Sequence, residues 1–293
     1  MLDQRQSAIW EALGLGPQWV DRKELAALVE EQKAKSSAPI QPTPAVRPAP
    51  QPSPRSAPSA QAQSSTWKRP VIPAVQNPTA EPVKLVSRTE KDLAAIAAMD
   101  WEQLRQAVSQ CKSCDLWNQR TLTVFGAGSA PSDILLIGEA PGSEEDRKGE
   151  PFVGPSGILL DKILQAVGLK RGQNLAIINT IKCRPPRNRD PEVAEMAACR
   201  CFFERQIELC DPKLVVVMGK PAAYSVFETR DSLSSLRGRV LQKELAGKNR
   251  DIVVTFHPSY LLRKPQDKRK AWEDWCLVAN LAENLHIPLQ PAE

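Results

Sequence analysis

Four cysteines of this chain have the spacing of metal ligands. Cys111 and Cys114 form a C-x2-C pair at the end of a predicted helix, Cys183 follows a predicted strand, and Cys199 lies in the next predicted helix. Four thiolates suit either a structural zinc ion or a [4Fe–4S] cluster, and the spacing does not separate the two. The competing interpretation is that all are small buried hydrophobic residues. The remaining cysteines are two spare ligand candidates and one core residue: Cys201, Cys210 and Cys276.

Polar and aromatic side chains follow three predicted strands, where α/β folds place their ligands. The first is in the segment from Gly138 to Asp161, which joins a buried strand to a helix and is too long for a plain connection. Asn179 ends a second strand, and His257 follows a third. We expect these three strand ends to form the walls of one site.

The first of these loops carries crowded carboxylates and one aromatic ring. Its acidic residues are Glu139, Glu144, Glu145 and Asp146, and Phe152 stands among small and polar residues. Glu139 and Glu145 are the candidates for acid–base chemistry, whereas the other two are expected to be solvated or to cap a helix. The glycines resemble a phosphate-binding loop, but the Gly-Lys-Ser/Thr ending of that motif is missing.

Alternating strands and helices predict an α/β fold with a parallel sheet that is covered on both faces. Buried strands are predicted at 133–138, 175–179, 214–218 and 252–256. Helices are predicted at 91–110, with an internal N-cap at Asp100, and at 156–167, 191–209, 221–227 and 267–285.

The first 88 residues differ in composition from the rest. Residues 1–35 carry a short helical apolar stripe and are too few to bury a core alone, so this leader either docks on another surface or stays loosely helical. Residues 36–88 hold twelve of the 26 prolines and are rich in Ala, Ser and Gln, which predicts a disordered linker. The globular domain is therefore expected at 89–293.

Bulk composition narrows the class of protein. The 293 residues include 39 basic and 34 acidic ones, and the net charge of +5 permits a polyanionic partner without requiring one. No run is long and apolar enough to span a membrane. The start of the chain lacks the pattern of a signal peptide, so we expect a cytoplasmic protein with reduced cysteines.

Three segments together resemble the motifs of the iron–sulfur uracil-DNA glycosylases, called family 4. They are GEAPGSEEDRKGEPFVGPSG at 138–157, INTIKCRPPRNRDP at 178–191 and FHPSYLLR at 256–263. The resemblance implies a three-layer α/β/α sandwich with a short, mainly parallel central sheet. It implies an enzyme of base-excision repair that releases uracil from DNA. It also implies a [4Fe–4S] cluster on four ligands: Cys111, Cys114, Cys183 and Cys199.

The resemblance supports roles for the residues at the strand ends. Phe152 would be the aromatic wall against which a flipped-out uracil stacks. Asn179 would read O4 and N3–H of the base, and His257 would stabilise the leaving uracil anion at O2. Glu139 or Glu145 would orient the attacking water.

Residues next to these positions are candidates for contacts with the base and the DNA. Relatives outside family 4 carry Asp or Asn where this chain has Ala140, so their strongest water activator is absent, and the N–H of Ala140 is a candidate contact for the base. Leu261 or Leu262 would fill the gap left by the flipped base. Arg263 and Lys264 belong to a basic run suited to phosphate, and a second basic run lies at 182–189.

Two other functions are compatible with the residues. Because Ala140 cannot activate water, the sequence is also compatible with a non-catalytic iron–sulfur protein that binds uracil or lesions. A replication-associated interaction protein would use the N-terminal helix and tether as its working parts. Under the leading interpretation the partner is uracil-containing DNA, and we expect a monomer with a protein partner for the N-terminal region.

Overall fold

The computed structural model describes residues 2–16, 88–229 and 231–291. Its central sheet contains β1 (Ile134–Gly138), β2 (Leu175–Asn179), β3 (Leu214–Met218), β4 (Val240–Leu245) and β5 (Lys248–Thr255). The spatial order is β2-β1-β3-β5-β4, and all neighbours are parallel except β4 and β5. The four predicted parallel strands are confirmed, whereas β4 was not predicted.

β4 is an edge strand whose sequence gives a weak signal. It is joined to β5 by a tight turn at Ala246 and Gly247, which both have positive φ (50° and 74°). Hairpin turns of this kind favour Asn-Gly or Asp-Gly, so Ala-Gly does not mark a hairpin clearly. An edge strand also buries little of its surface, and a clear apolar pattern is therefore not needed.

Helices cover both faces of the sheet. In chain order they are α1 (Gln4–Ala12), α2 (Glu90–Ala98), α3 (Trp101–Ser109), α4 (Ser143–Lys148), α5 (Pro155–Val167), α6 (Val193–Cys210), α7 (Lys220–Phe227), α8 (Leu233–Leu236), α9 (Pro258–Arg263) and α10 (Lys268–Asn284). Successive strand residues point to opposite faces. In β1, Ile134 and Leu136 share a core with α1, α5, α9 and α10, while Leu135 and Ile137 share one with α6 and α7. The fold is thus the three-layer α/β/α sandwich that the resemblance implied.

Local signals set several helix boundaries. Asp100 caps α3 and forms a reciprocal capping box with Gln103, as predicted. The helix predicted to begin at 191 begins at Val193, because Glu192 is its N-cap and Glu195 completes the capping box. No helix in the described residues is long and apolar enough to cross a bilayer.

The first helix packs on the domain and does not stand apart as a leader. Ile9 and Leu13 are fully buried in the same core as α5 and α10. Trp272 on α10 donates to the main-chain oxygen of Gln6 at 2.9 Å, and its ring meets that of Trp10 edge to face. Residues 17–87 lie outside the described part of the chain, and with them nearly all of the predicted linker.

We expect Leu13→Ala to lower the free energy of unfolding by about 2–5 kcal/mol, because it leaves a cavity in the core under α1. The melting temperature should fall by roughly 10 °C for a domain of this size. Glu11→Ala, on the exposed side of α1, is the matched control and should leave the melting temperature unchanged. Equal melting temperatures for both variants would show that α1 does not dock in solution.

Candidate active site and cysteine-lined cavity

A cavity of about 690 Å³ opens at the carboxyl ends of β1, β2 and β5. Seven predicted site residues line it: Glu139, Ala140, Glu145, Phe152, Asn179, His257 and Arg263. The structure therefore brings the three strand ends together, as expected. Wall residues that the sequence did not single out include Lys220 at the start of α7 and Tyr260 on α9.

Glycines let the site side chains approach one another. Gly138 is paired with Asn179 across the parallel ladder of β1 and β2. A Cβ at Gly138 would overlap Asn179 Oδ1 and lie 2.9 Å from Phe152 Cζ. A Cβ at Gly157 would overlap the carbonyl of Phe152, and one at Gly219 would lie 3.0 Å from His257 Cβ. Close approach of side chain and backbone thus explains glycine at these three positions.

Asn179 lines the cavity with a buried amide group. Only 2% of the residue is exposed, yet its Oδ1 has no hydrogen-bond partner among the described residues. Its main-chain oxygen is held by Lys182 Nζ at 2.5 Å. Leaving a buried polar atom unpaired costs stability, so such an atom indicates a ligand group that donates to it.

Phe152 forms an aromatic wall that is held in an unusual backbone conformation. Its φ is 55°, in the left-handed region that L residues avoid, and only 5% of the residue is exposed. The ring stacks on His257 with 5.3 Å between centroids and 29° between planes. The aromatic group is thus directed inward, next to the imidazole.

His257 is fixed as a neutral imidazole. It caps α9, and its Nδ1 lies 3.2 Å from the backbone N–H of Ser259, which donates to it, and 2.8 Å from the hydroxyl oxygen of the same residue. With Nδ1 as the acceptor, the proton of the neutral ring is on Nε2. Burial and the nearby Arg263 lower the pKa of His257 to about 4, so the ring stays neutral at physiological pH.

Glu139 is the carboxyl group of the cavity whose acidity is most altered. Burial, with a smaller contribution from the charge of Asp190, raises its pKa to about 7, while Arg263 acts in the opposite direction. Its main-chain oxygen accepts from the hydroxyl of Thr180 at 2.7 Å and from the N–H of Ile181. The β1 end is thus tied to the segment after β2, and Glu139 can exchange a proton near neutral pH.

Glu145 lines the cavity but uses its carboxylate within the protein. Its Oε1 accepts from the N–H groups of Val153 and Gly154 at 3.1 and 3.3 Å. Asp146 accepts from the N–H of Thr121, so it ties α4 to another loop and is not solvated. Of the two catalytic candidates, Glu139 has a carboxylate without a hydrogen bond or ion pair to the described residues, whereas Glu145 supports the loop that carries Phe152.

The two leucines after His257 occupy different environments. Leu261 is fully buried in the core, so its proposed insertion into DNA does not fit this structure. Leu262 is 44% exposed and remains the wedge candidate. Arg263 and Lys264 are exposed, and only Arg263 reaches the cavity wall.

A second cavity is lined by all four predicted metal ligands, Cys111, Cys114, Cys183 and Cys199. Basic groups that the sequence did not single out for this site flank the sulfurs. Arg120 Nη1 lies 3.0 Å from Cys183 Sγ, and Arg88 Nη2 lies 3.3 Å from Cys111 Sγ. The spare candidates lie elsewhere: Cys201 Sγ is 2.7 Å from Arg88 Nη1, and Cys210 is in the core with Val215.

Comparison with known proteins decides the family. The uracil DNA glycosylase superfamily profile matches residues 125–276. Type-4 uracil-DNA glycosylases of Archaeoglobus fulgidus and Sulfurisphaera tokodaii are 36% and 37% identical over 184 and 186 residues, covering 61% and 62% of this chain and 92% and 84% of the relatives. That of Thermotoga maritima is 41% identical over 163 residues, covering 55% of this chain and 83% of the relative.

The chain belongs to the type-4 uracil-DNA glycosylases. The part of the chain matched by the superfamily profile contains every strand of the sheet and the whole wall of the larger cavity. Type-4 glycosylases are known for an iron–sulfur cluster. The cysteine-lined cavity is therefore the place to ask whether this chain fits one.

Four cysteine side chains line this one cavity, and four cysteines are the ligand set that a [4Fe–4S] cluster takes. Burial raises the pKa of Cys114 to about 11 and of Cys199 to about 12, so without a bound metal these thiols stay protonated at neutral pH. Among the described residues, no three His, Cys, Asp or Glu side chains are grouped to bind a single metal ion. A [4Fe–4S] cluster binds each of its four thiolates at a different iron atom.

The basic run at 182–189 is not exposed as a whole. Lys182 is buried and lines the cysteine cavity, and burial lowers its pKa to about 8. Arg189 pairs with the buried Glu195 at 2.6 Å. Arg187 is exposed, on a turn beside the larger cavity, and is the member best placed to reach a phosphate.

Proposed function

We propose that this chain hydrolyses the N-glycosidic bond of deoxyuridine in DNA, releasing uracil and leaving an abasic site. The observation that carries the proposal is the unpaired Oδ1 of Asn179 in a cavity walled by Phe152 and His257. The base must leave the helix to reach this cavity, and an aromatic wall offsets part of the stacking that is lost.

Asn179 selects uracil by its hydrogen-bond pattern. Its Oδ1 accepts from N3–H of uracil, and its amide nitrogen donates to O4. Cytosine presents an unprotonated N3 to the same oxygen and an amino group to the same nitrogen, so both contacts become repulsive. Because the oxygen is buried, the mismatch cannot be relieved by water.

His257 stabilises the leaving group as a neutral hydrogen-bond donor. Uracil departs as an anion with charge on O2, and the Nε2–H of the neutral ring donates to that oxygen. Ser259 keeps the proton on Nε2 because its N–H occupies Nδ1. The family relationship and this tautomer together support His257 as the electrostatic catalyst.

Glu139 orients the attacking water and offsets the positive charge that develops on the sugar. It takes this role because Ala140 has no side-chain group for it, and because Glu145 is bonded to the loop at 153–154. Ala140 also packs against the buried cluster of Leu116, Ile181 and Cys183.

The resulting pH dependence has a defined sign. The required form of Glu139 is the carboxylate, and its pKa is raised to about 7, so kcat/KM should rise as the pH rises through about 7. Glu139→Gln should remove this rise. Asp190→Asn removes a charge that raises the pKa of Glu139, and should shift the rise to lower pH. The range from about pH 6 to pH 8 covers roughly one unit on each side of the pKa of Glu139. If kcat/KM of the unmodified protein did not change over this range, Glu139 would not be the group that orients the water.

The experiment that tests the function is base release from an oligonucleotide with one uracil, followed by hot alkali to break the strand at abasic sites. Asn179→Leu keeps the approximate size but removes both hydrogen bonds. We expect it to lower kcat/KM about 10- to 100-fold, as the loss of a paired base contact should. If the unmodified protein bound the oligonucleotide tightly but produced no strand breaks, the non-catalytic lesion-binding alternative would be favoured.

DNA contacts outside the cavity position the strand. We propose that Leu262 fills the space left by the flipped base, because its exposed apolar side chain lies on the same helix as Arg263 at the cavity wall. Arg263 and Lys264 contact phosphates and set no sequence preference. The expected monomer, the cytoplasmic location and a protein partner for the N-terminal region stay predictions.

The four cysteines of the smaller cavity would hold a [4Fe–4S] cluster, which would supply a bridge between the chain segments that carry them. Cys111 and Cys114 precede β1, Cys183 follows β2, and Cys199 lies in α6. Arg88 and Arg120 would partly balance the negative charge of the thiolates. Lys182 connects this cavity with the main-chain oxygen of Asn179, so the sulfur ligands and the base reader share one support.

A further inference from the structure

The loop that carries Phe152 needs outside support. Phe152 has a left-handed φ of 55° and no glycine-like freedom to adopt it. Its neighbours Pro151 and Gly154 are buried as well, so the whole turn is pressed into the protein. A conformation of this kind persists only when surrounding contacts determine it.

Arg171, which lies between α5 and β2, supplies one side of that support. Its Nη1 donates to the carbonyl of Pro151 at 2.8 Å, and its Nη2 donates to the carbonyl of Phe152 at 2.7 Å. Its Nε is held by Asp161 Oδ1 at 2.5 Å. The planar guanidinium thus binds two successive carbonyls while a carboxylate fixes its orientation, which a lysine cannot reproduce.

Glu145 supplies the other side. Its Oε1 accepts from the next two backbone N–H groups, those of Val153 and Gly154. Four consecutive residues are therefore held by two opposite charges, the carbonyls by Arg171 and the N–H groups by Glu145. Charge-assisted hydrogen bonds of this type are stronger than neutral ones.

We propose that Arg171, together with Glu145, is a positioning residue that sets the aromatic wall before DNA arrives. Arg171 is not among the residues lining the larger cavity, and it acts through the backbone of Phe152. The inference rests on the proposed function, since it concerns how the base slot is kept in shape. A wall that is already ordered favours binding of the base, because no conformational entropy is lost in ordering the loop when the base enters.

The test is a double-mutant cycle between Arg171→Gln and Phe152→Ala, with kcat/KM measured on the uracil oligonucleotide. Arg171→Gln alone should lower kcat/KM about tenfold, as a misplaced wall would, while added to Phe152→Ala it should cost less than about twofold. Arg171→Lys should recover little of the loss. Binding of abasic product DNA, which has no base to stack, should be unchanged in Arg171→Gln.

The matched control is Arg200→Gln, which removes an arginine that is likewise held by side-chain ion pairs, with Glu204 and Glu228, but lies on α6 and not in the lining of the larger cavity. It should keep the activity of the unmodified protein. If Arg171→Gln does not fold, Asp161→Asn replaces it, because it loosens the guanidinium without touching the loop, and a loss of about threefold that vanishes in the Phe152→Ala background is expected.

Equal losses with and without the Phe152 ring would overturn the proposal, as would full activity of Arg171→Gln. If the unmodified protein is active, either of these results would rule out the positioning role of Arg171 but would not count against the proposed release of uracil. An inactive unmodified protein would instead count against the proposed function.

Discussion

A single methyl group at Gly138 should reduce kcat/KM for uracil release by at least about 100-fold, the scale expected when reacting groups are displaced by 1 Å. In Gly138→Ala the new Cβ would overlap Asn179 Oδ1 and would lie 2.9 Å from Phe152 Cζ. Neither neighbour can retreat easily. Asn179 belongs to a buried strand, and Phe152 is held by Arg171 and Glu145. The variant therefore moves the base reader and the aromatic wall together.

Gly247→Ala, in the turn between β4 and β5, separates this effect from the general cost of replacing glycine. Gly247 has a positive φ of 74°, and nothing lies within 4 Å of an added Cβ. That substitution should cost stability of about 1 kcal/mol through backbone strain but leave kcat/KM unchanged. Gly138→Ala should also cost stability, about 1–3 kcal/mol, because its methyl group overpacks a buried site, but unlike the control it should lose nearly all activity. Normal kinetics in Gly138→Ala would mean that the slot is not where uracil binds.

The strand ends of this site could be predicted because they follow from strong local patterns. Four continuous apolar runs mark buried parallel strands, and the polar residue after each run falls at the same edge of the sheet. Asn179 and His257 are polar residues at such ends, and they do line one cavity. The roles of these residues in binding and catalysis stay predictions until the variants are measured.

Side-chain direction could not be predicted in the same way. Leu261 and Leu262 are adjacent on α9, and successive residues of a helix point about 100° apart, so only one of them faces the core. Which one does so depends on where α9 docks, and that is set by contacts far away in the sequence. Glu145 and Arg171 are similar cases, since their partners are main-chain atoms of a loop whose path no local pattern reveals.

α1 shows the same limit at the level of a whole element. Its apolar stripe indicated a helix that needs a partner, but not that the partner is the domain itself. The surface that receives Ile9 and Leu13 is formed by α5 and α10, which the chain makes more than 140 residues later. The docked helix also means that a deletion of the N-terminal region is a test of stability as well as of function.

Replacing Cys199 with serine should remove the proposed [4Fe–4S] cluster and, with it, much of the folded stability of the region around the cysteines. A hydroxyl group is a poor ligand for iron, and Cys199 is the only ligand candidate on α6 that lines the cysteine cavity among the described residues. Iron content should fall from about four atoms per chain to less than one, and absorbance near 400 nm should be lost (~4 irons per cluster). The melting temperature should fall by roughly 10 °C or more, since metal binding contributes directly to folding.

Cys201→Ser is the matched control, because Cys201 lies two residues further along α6 and outside the cavity lining. Its sulfur accepts a hydrogen bond from Arg88, whose guanidinium also contacts Cys111. This variant should keep its iron, its colour and its melting temperature. Loss of iron in Cys201→Ser together with retention in Cys199→Ser would reverse the ligand assignment. Because Lys182 links the cysteine cavity to the main-chain oxygen of Asn179, Cys199→Ser should also weaken uracil release, and Cys201→Ser should not.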